Sequence, residues 1–346
     1  MKTTEARSIQ EIDEQRWDAV TGDVLSMTHR WLRVIESCWR PYEPRYLFLE
    51  DDQGPCVAAV ADTSASVAGL GLAGWLYQRL SLAVRPTFSS MCGVMVRPGL
   101  SIGSVLPELE PLLTGLCRRE RRLLITVSNV DASNLSGWQQ AGFLAARQPG
   151  TSVMDLPATY DQYFGALQRK NRQELRRARR RGADLDARFE FGPLAGDGEQ
   201  IYSLVCEVFA SHGTARKAMP FAPQFLAALE RELPGEVLFL RGYLGETLAG
   251  VCLCLLNGTT FWAPMMGLHY ETARSGYLYF LMQDEMVRWS IEHGMRKIFV
   301  GKTNERVKQR HGFHQEECWF CYRAGPGALN RMLALASPLI ERLIRG

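Results

Sequence analysis

Val96-Arg97-Pro98-Gly99-Leu100-Ser101-Ile102-Gly103-Ser104-Val105-Leu106 decides how this chain is read. A β-prone run, Phe88–Val96, ends there, and a glycine-rich loop follows. From Val105 to Arg121, apolar residues at 105, 106, 109, 112, 113 and 116 mark one face of a helix. Leu123–Val127 then reads as a strand. Asn129 follows it, and a short helix over Ala132–Ala141 stops at Gly142-Phe143. Upstream, Thr28–Cys38 reads as a helix. Arg45–Glu50 and Cys56–Ala61 flank the turn Asp51-Asp52-Gln53-Gly54, which is a hairpin signal. Val57–Leu76 reads as strand, turn and loop, and a last strand of this half closes near Leu156.

The second half repeats the order. Tyr160–Arg181 reads as one long basic helix, and Gly198–Ala210 and Phe221–Glu232 as two more. Val237–Tyr243, Leu248–Leu256 and Thr259–Met265 form a meander whose turns are Gly245-Glu246 and Asn257-Gly258. A loop over Leu268–Gly276 leads into the helix Tyr277–His293. The strand Lys297–Val300, a polar segment Asn304–His311, Gly312-Phe313 and one strand His314–Arg323 complete it. Ala328–Ile344 is an amphipathic tail helix. A repeat of this size implies duplication of one domain. The expected divisions are 1–156, 157–326 and the tail 327–346, in an α/β (α+β) chain.

These motifs resemble the GCN5-related N-acetyltransferase (GNAT) superfamily, whose order is strand, glycine loop, helix, strand, Asn, short helix, Gly-Phe. The run Leu167-Gln168-Arg169-Lys170-Asn171-Arg172 resembles the double-GNAT group that includes the Fem-type acyltransferases. The resemblance implies two tandem GNAT folds, each a mixed central sheet flanked by helices. It implies N-acyl transfer to an amine of a small molecule or peptide, with acyl-CoA or an acyl-carrier phosphopantetheine thioester as co-substrate and no tightly bound cofactor. Two alternatives stand beside it. One is a Fem-type aminoacyltransferase using aminoacyl-tRNA. The other is a non-catalytic double GNAT that binds nucleic acid or another anion.

Phosphates approach bare backbone N–H groups at a helix start, which favours glycine and small residues there. That makes Gly99, Ser101, Gly103 and Ser104 in the first half, and Arg274, Ser275 and Gly276 in the second, the candidate donor-binding residues. The family's loop reads Gln/Arg-x-x-Gly-x-Gly/Ala. Pro98 and Ser101 depart from it in one half, Ala273 and Leu278 in the other. Amine acylation needs a base and donors for an oxyanion. His269, Glu271 and Tyr277 crowd the second loop and are catalytic candidates. The group's lysine ahead of Gly-Phe falls on Lys308, and the resemblance places it near the reacting carbonyl. Lys302 and Trp262 are candidate substrate contacts. Lys170 and Arg172 are candidate contacts to an anionic partner, because Arg169–Arg181 holds eight basic residues and one acid.

Composition narrows the rest. Apolar residues are 46% and charged residues 22%, as in an ordinary globular protein. The net charge of +3 does not by itself demand a nucleic-acid or membrane partner. Nine cysteines, an odd number set mostly in apolar runs, read as reduced thiols of a cytoplasmic protein. The N-terminus is polar and no run is apolar enough to span a membrane, so no stable insertion is expected. Cys318 and Cys321 lie three apart in a strand and point to opposite faces, so no metal is expected. P-loop, GxSxG and HExxH motifs are absent. An acyl carrier protein or tRNA is left open as the bearer of the acyl group, as is the oligomeric state.

Overall fold

The structure is a computed structural model. It describes residues 1–22, 24–64, 71–275, 277–302, 304–325, 329–335 and 337. In chain order the strands are β1 Lys2–Ala6, β2 Pro44–Asp51, β3 Gly54–Asp62, β4 Ser81–Val84, β5 Val94–Val96, β6 Leu124–Asp131, β7 Leu144–Gln148, β8 Ser152–Asp155, β9 Ala187–Gly192, β10 Val237–Leu244, β11 Thr247–Asn257, β12 Thr260–Leu268, β13 Lys297–Val300, β14 His314–Gln315 and β15 Cys318–Ala324. They form two mixed sheets. The first has the order β1-β2-β3-β4-β6-β15-β7, with β5 on β3; the second runs β14-β8-β13-β12-β11-β10-β9.

The chain divides into two compact units, Met1–Gly150 with Glu317–Gly346, and Thr151–Glu316. The strand expected over 314–323 is therefore two strands in two sheets. β14 pairs with β8, whereas β15 inserts between β6 and β7, antiparallel to both. Between them, Glu316 and Glu317 are polar and lie in neither ladder, and burial resumes with Cys318, Cys321, Tyr322 and Ala324.

In the first unit the helix Ile102–Arg119 buries Val105, Leu106, Leu109, Leu113 and Leu116. Trp138 and Phe143 join the same core. Each such side chain stabilises the fold by roughly 1.5–3 kcal/mol on burial. In the second unit the helix Leu278–Glu292 packs on β10 and β11. Gly250 makes that approach possible, since a Cβ there would lie 2.7 Å from Met282 Sδ and 3.0 Å from Leu278 Cδ2.

Several local readings change. The polar arm contributes β1, an edge strand in which only Ala6 is buried. Residues inside 57–76 open the helix Gly71–Leu80, and Phe88–Val96 yields only the three residues of β5. The single basic helix is two, Tyr160–Ala166 and Arg169–Asp184, because Leu167 turns to an extended backbone. The loop 268–276 holds a short helix, Tyr270–Ser275. Residues 329–335 are helical, and most of the tail lies outside the described residues.

Candidate active site in the second unit

The second sheet forks. β12 and β13 run parallel from Thr260 opposite Lys297 to Ala263 opposite Val300. β13 then ends, while β12 continues to Leu268, paired along its other edge with β11. Among the described residues no strand pairs the β13 side of Pro264–Leu268. At the fork Gly301 passes close to β12, and a Cβ on it would lie 4.0 Å from the Pro264 carbonyl oxygen.

Two helices start beside this fork, and both start from strained backbone. Tyr277, with φ 54°, precedes Leu278–Glu292, and Asn304, with φ 56°, precedes Glu305–Arg310. Neither start has a side-chain cap. The first-turn N–H groups of the longer helix carry the positive end of its dipole. Tyr279, on its first turn, hydrogen-bonds the Asn304 side chain, and burial pushes its phenol up to about 12.

Lys308 is only 3% exposed and donates from Nζ to the Gly301 carbonyl at the fork. Burial pulls its ammonium down from 10.5 to about 8. Cys252 of β11 is a neighbour of both Lys308 and Tyr279. The helix end fixes the lysine. Gly312 has φ 86°, its N–H donates to Gln309, and Phe313 N–H donates back to the Lys308 carbonyl. This pair of bonds is a Schellman stop, with the αL residue a glycine. His311 is fully buried against Phe280, with ring centroids 4.0 Å apart, and burial pushes its imidazole down to about 3.

Residues 169–309 match the family model described as an acetyltransferase (GNAT) domain, and this span covers the whole fork. FemX superposes over 93% of this chain and 97% of its own, with TM-score 0.58 and 12% identity. A tandem GNAT protein from the clavulanic acid biosynthesis pathway covers 94% of this chain and 99% of its own, with TM-score 0.54 and 10% identity. L-PGS from Bacillus licheniformis covers 87% and 90%, with TM-score 0.54 and 10% identity. The chain is a tandem GNAT-fold protein. No curated protein matches it in sequence.

In this tandem GNAT the sequence candidates separate. Lys308 lies at the fork, and Lys302 is half-buried just past Gly301. Trp262 lies on β12 opposite Phe299, on the half-exposed face. Tyr277 is the strained residue before the helix and is 46% exposed. His269 caps the helix Tyr270–Ser275. Its Nδ1 accepts from Thr272 N–H at 3.4 Å and meets Thr272 Oγ1 at 2.8 Å. That arrangement leaves the ring proton on Nε2, a donor rather than a base. Glu271 is exposed on that helix. Gly276 and the side chains of Arg274 and Ser275 lie outside the described residues. Lys170 is exposed, whereas Arg172 Nη1 is held by the carbonyls of Gly165 at 2.8 Å and Leu167 at 2.5 Å.

The first-half loop is occupied by its own chain. Pro98 and Gly99, φ 91°, are the middle of a turn closed by Leu100 N–H on Arg97 O. Ser101 Oγ accepts from Ser104 N at 3.2 Å, and Ser104 Oγ donates to Ser101 O. A side chain thus takes a position an anion would take. Gly103 faces Gly137 of the next helix, where a Cβ on Gly137 would come within 3.1 Å of Gly103 N. Asn129 bridges to the loop before β5, donating to Met91 O at 3.0 Å.

Asn304 and Cys252 were missed by the sequence reading. Asn304 left a signal: like Asn129 it comes shortly before a short helix that stops at Gly-Phe, and both are left-handed, at φ 56° and 61°.

Proposed function

We propose that the second unit is an N-acyltransferase whose fork takes an acyl donor and whose buried Lys308 faces the reacting carbonyl. One observation carries this reading: a lysine 3% exposed, tied to a backbone carbonyl at the point where two parallel strands part. A buried ammonium is costly unless it works. The uncapped edge Pro264–Leu268 offers backbone groups to the amide-bearing arm of a thioester, as an added strand would use them. The amine attacks the carbonyl carbon and the carbonyl oxygen gains charge. The Lys308 ammonium would favour that oxyanion. When the tetrahedral species collapses, the carbon–sulfur or carbon–oxygen ester bond breaks. Tyr279, neutral across physiological pH, can give the leaving group its proton and take in return the proton that the attacking nitrogen loses, so the protons balance. Acyl-CoA or a carrier-protein thioester is the co-substrate of this reading.

The exposed face of Arg169–Asp184 favours a second reading, aminoacyl transfer from tRNA as in Fem-type enzymes. Lys170, Arg177 and Arg180 are exposed on it, while Leu175, Ala178 and Gly182 face the core.

The test is intact-mass analysis of candidate amines incubated with the protein and acyl-CoA, acyl-carrier protein or aminoacyl-tRNA. A mass gain lost in Lys308→Ala supports acyl transfer at the fork, and RNase sensitivity selects the tRNA route. Wild-type turnover by Lys308→Ala removes Lys308 from the chemistry.

A further inference from the structure

The first unit has an exposed surface that its acyl-transfer-like core does not explain. The helix Gly71–Leu80 holds Trp75 at 52% exposure and Leu76 at 42%. Leu123, 44% exposed, adjoins the end of this helix through its N–H, which donates to Leu80 O at 2.8 Å. Arg122 fastens the two segments together, donating to the carbonyls of Gln78, Arg79 and Thr63 at 2.7–2.8 Å. Beside Leu123 opens a cavity of about 270 Å³ whose walls include Cys117, Arg118, Arg122 and Ile125.

Large apolar side chains in water are unfavourable, and here three of them are exposed on two segments joined at Leu80 and by Arg122. Their surroundings are basic. Arg79, Arg118 and Arg121 are exposed and have no acidic partner among the described residues. Arg79 lies over the Trp75 ring at 5.7 Å. An indole, two leucines and unpaired guanidinium groups fit the boundary between lipid headgroups and acyl chains. The apolar groups enter the acyl region, and the arginines meet the phosphates. A stacking surface for single-stranded RNA would use the tryptophan and the arginines but would leave Leu76 and Leu123 in water.

We propose that this surface, Trp75, Leu76 and Leu123 ringed by Arg79, Arg118 and Arg121, docks the protein on an anionic phospholipid surface.

Flotation of the full chain with vesicles decides the matter. Vesicles of phosphatidylcholine mixed with phosphatidylglycerol should carry the protein upward, and vesicles of phosphatidylcholine alone should not. Trp75→Ala and Leu123→Ser should each weaken binding about tenfold, the worth of one large apolar side chain. The double charge reversal Arg118→Glu with Arg121→Glu should abolish the preference for anionic vesicles and its salt dependence. Those arginines are exposed, so this variant tests the proposal even if Trp75→Ala misfolds. The proposal is overturned if the wild-type chain stays unbound, or if all variants float as it does. It is equally overturned if the same variants lose binding to single-stranded RNA without any vesicle binding, or lose only a concentration-dependent dimer.

Discussion

The helices Ala132–Gln140 and Glu305–Arg310 end by the same device and start differently. Asp131 caps the first, with the left-handed Asn129 shortly before it, whereas the left-handed Asn304 directly precedes the second; each stops on a left-handed glycine, Gly142 at φ 82° and Gly312 at φ 86°. Each sends the next N–H back three residues before the cap, to Trp138 in one and Lys308 in the other. That position points inward in both, with exposures of 0% and 3%. One unit fills it with an indole that stacks edge-on against Phe143, and the other fills it with a charge. The same contrast holds at the longer helices. Ser101 caps Ile102–Arg119, whereas the Tyr277 side chain makes no capping bond to Leu278–Glu292. The first unit fills with internal packing the place where the second buries a lysine.

The largest way to break this comparison is to delete residues 317–346. Losing β15 leaves β6 and β7 without the strand between them, so the first unit should lose all protection in hydrogen exchange while β10–β12 of the second keep theirs. Trp138→Ala should destabilise the first unit by about 3–5 kcal/mol, read in urea. Lys308→Met should do the opposite in the second unit. Its activity should fall about 10²–10³-fold, as for loss of an oxyanion donor. Its stability should rise, because the lysine's proton affinity is lower folded than unfolded. The stability due to an uncharged Lys308 is complete above pH 10.5 and is lost as pH falls through about 8. The gain from methionine is therefore greatest at neutral pH, roughly 3 kcal/mol, and disappears above pH 10.5. An active form that needs the ammonium should lose turnover as pH rises through about 8, and a rate that instead rises there would make Lys308 a base. His311, held neutral, should make the second unit acid-labile between pH 6.5 and about 3, and His311→Phe should blunt that loss. The smallest effect is Ser101→Ala, about 1 kcal/mol of stability with no change in donor KM. A raised donor KM would return the first loop to binding.

Where local chemistry sets geometry, the sequence reading holds. The Gly-Phe stops, the glycine loop before Val105 and the meander of the second half all follow from residues acting on their own backbone. Even there the turn detail moved. Asn257 pairs with Thr260, so Gly258 and Thr259 form the turn, with glycine at the first central position as in Gly245-Glu246. What the sequence could not reveal depends on distant partners. β15 finds β6 and β7 across long stretches of chain, with Cys318 opposite Asp131 on one side and Gln148 on the other, and no periodicity records that. His269 and Arg172 looked like free functional groups until the carbonyls and N–H groups that occupy them were seen. Lys308 was legible only through the family likeness, and its burial depends on the fold.

The return of Cys318–Ala324 has a consequence for biogenesis. A ribosome releases everything the second sheet needs, β8 to β14, as one uninterrupted stretch. The first sheet waits, with a gap beside β6, until Cys318–Ala324 has followed it off the ribosome. The half encoded later can therefore mature earlier, and the nascent amino-terminal half needs shelter from aggregation in the meantime.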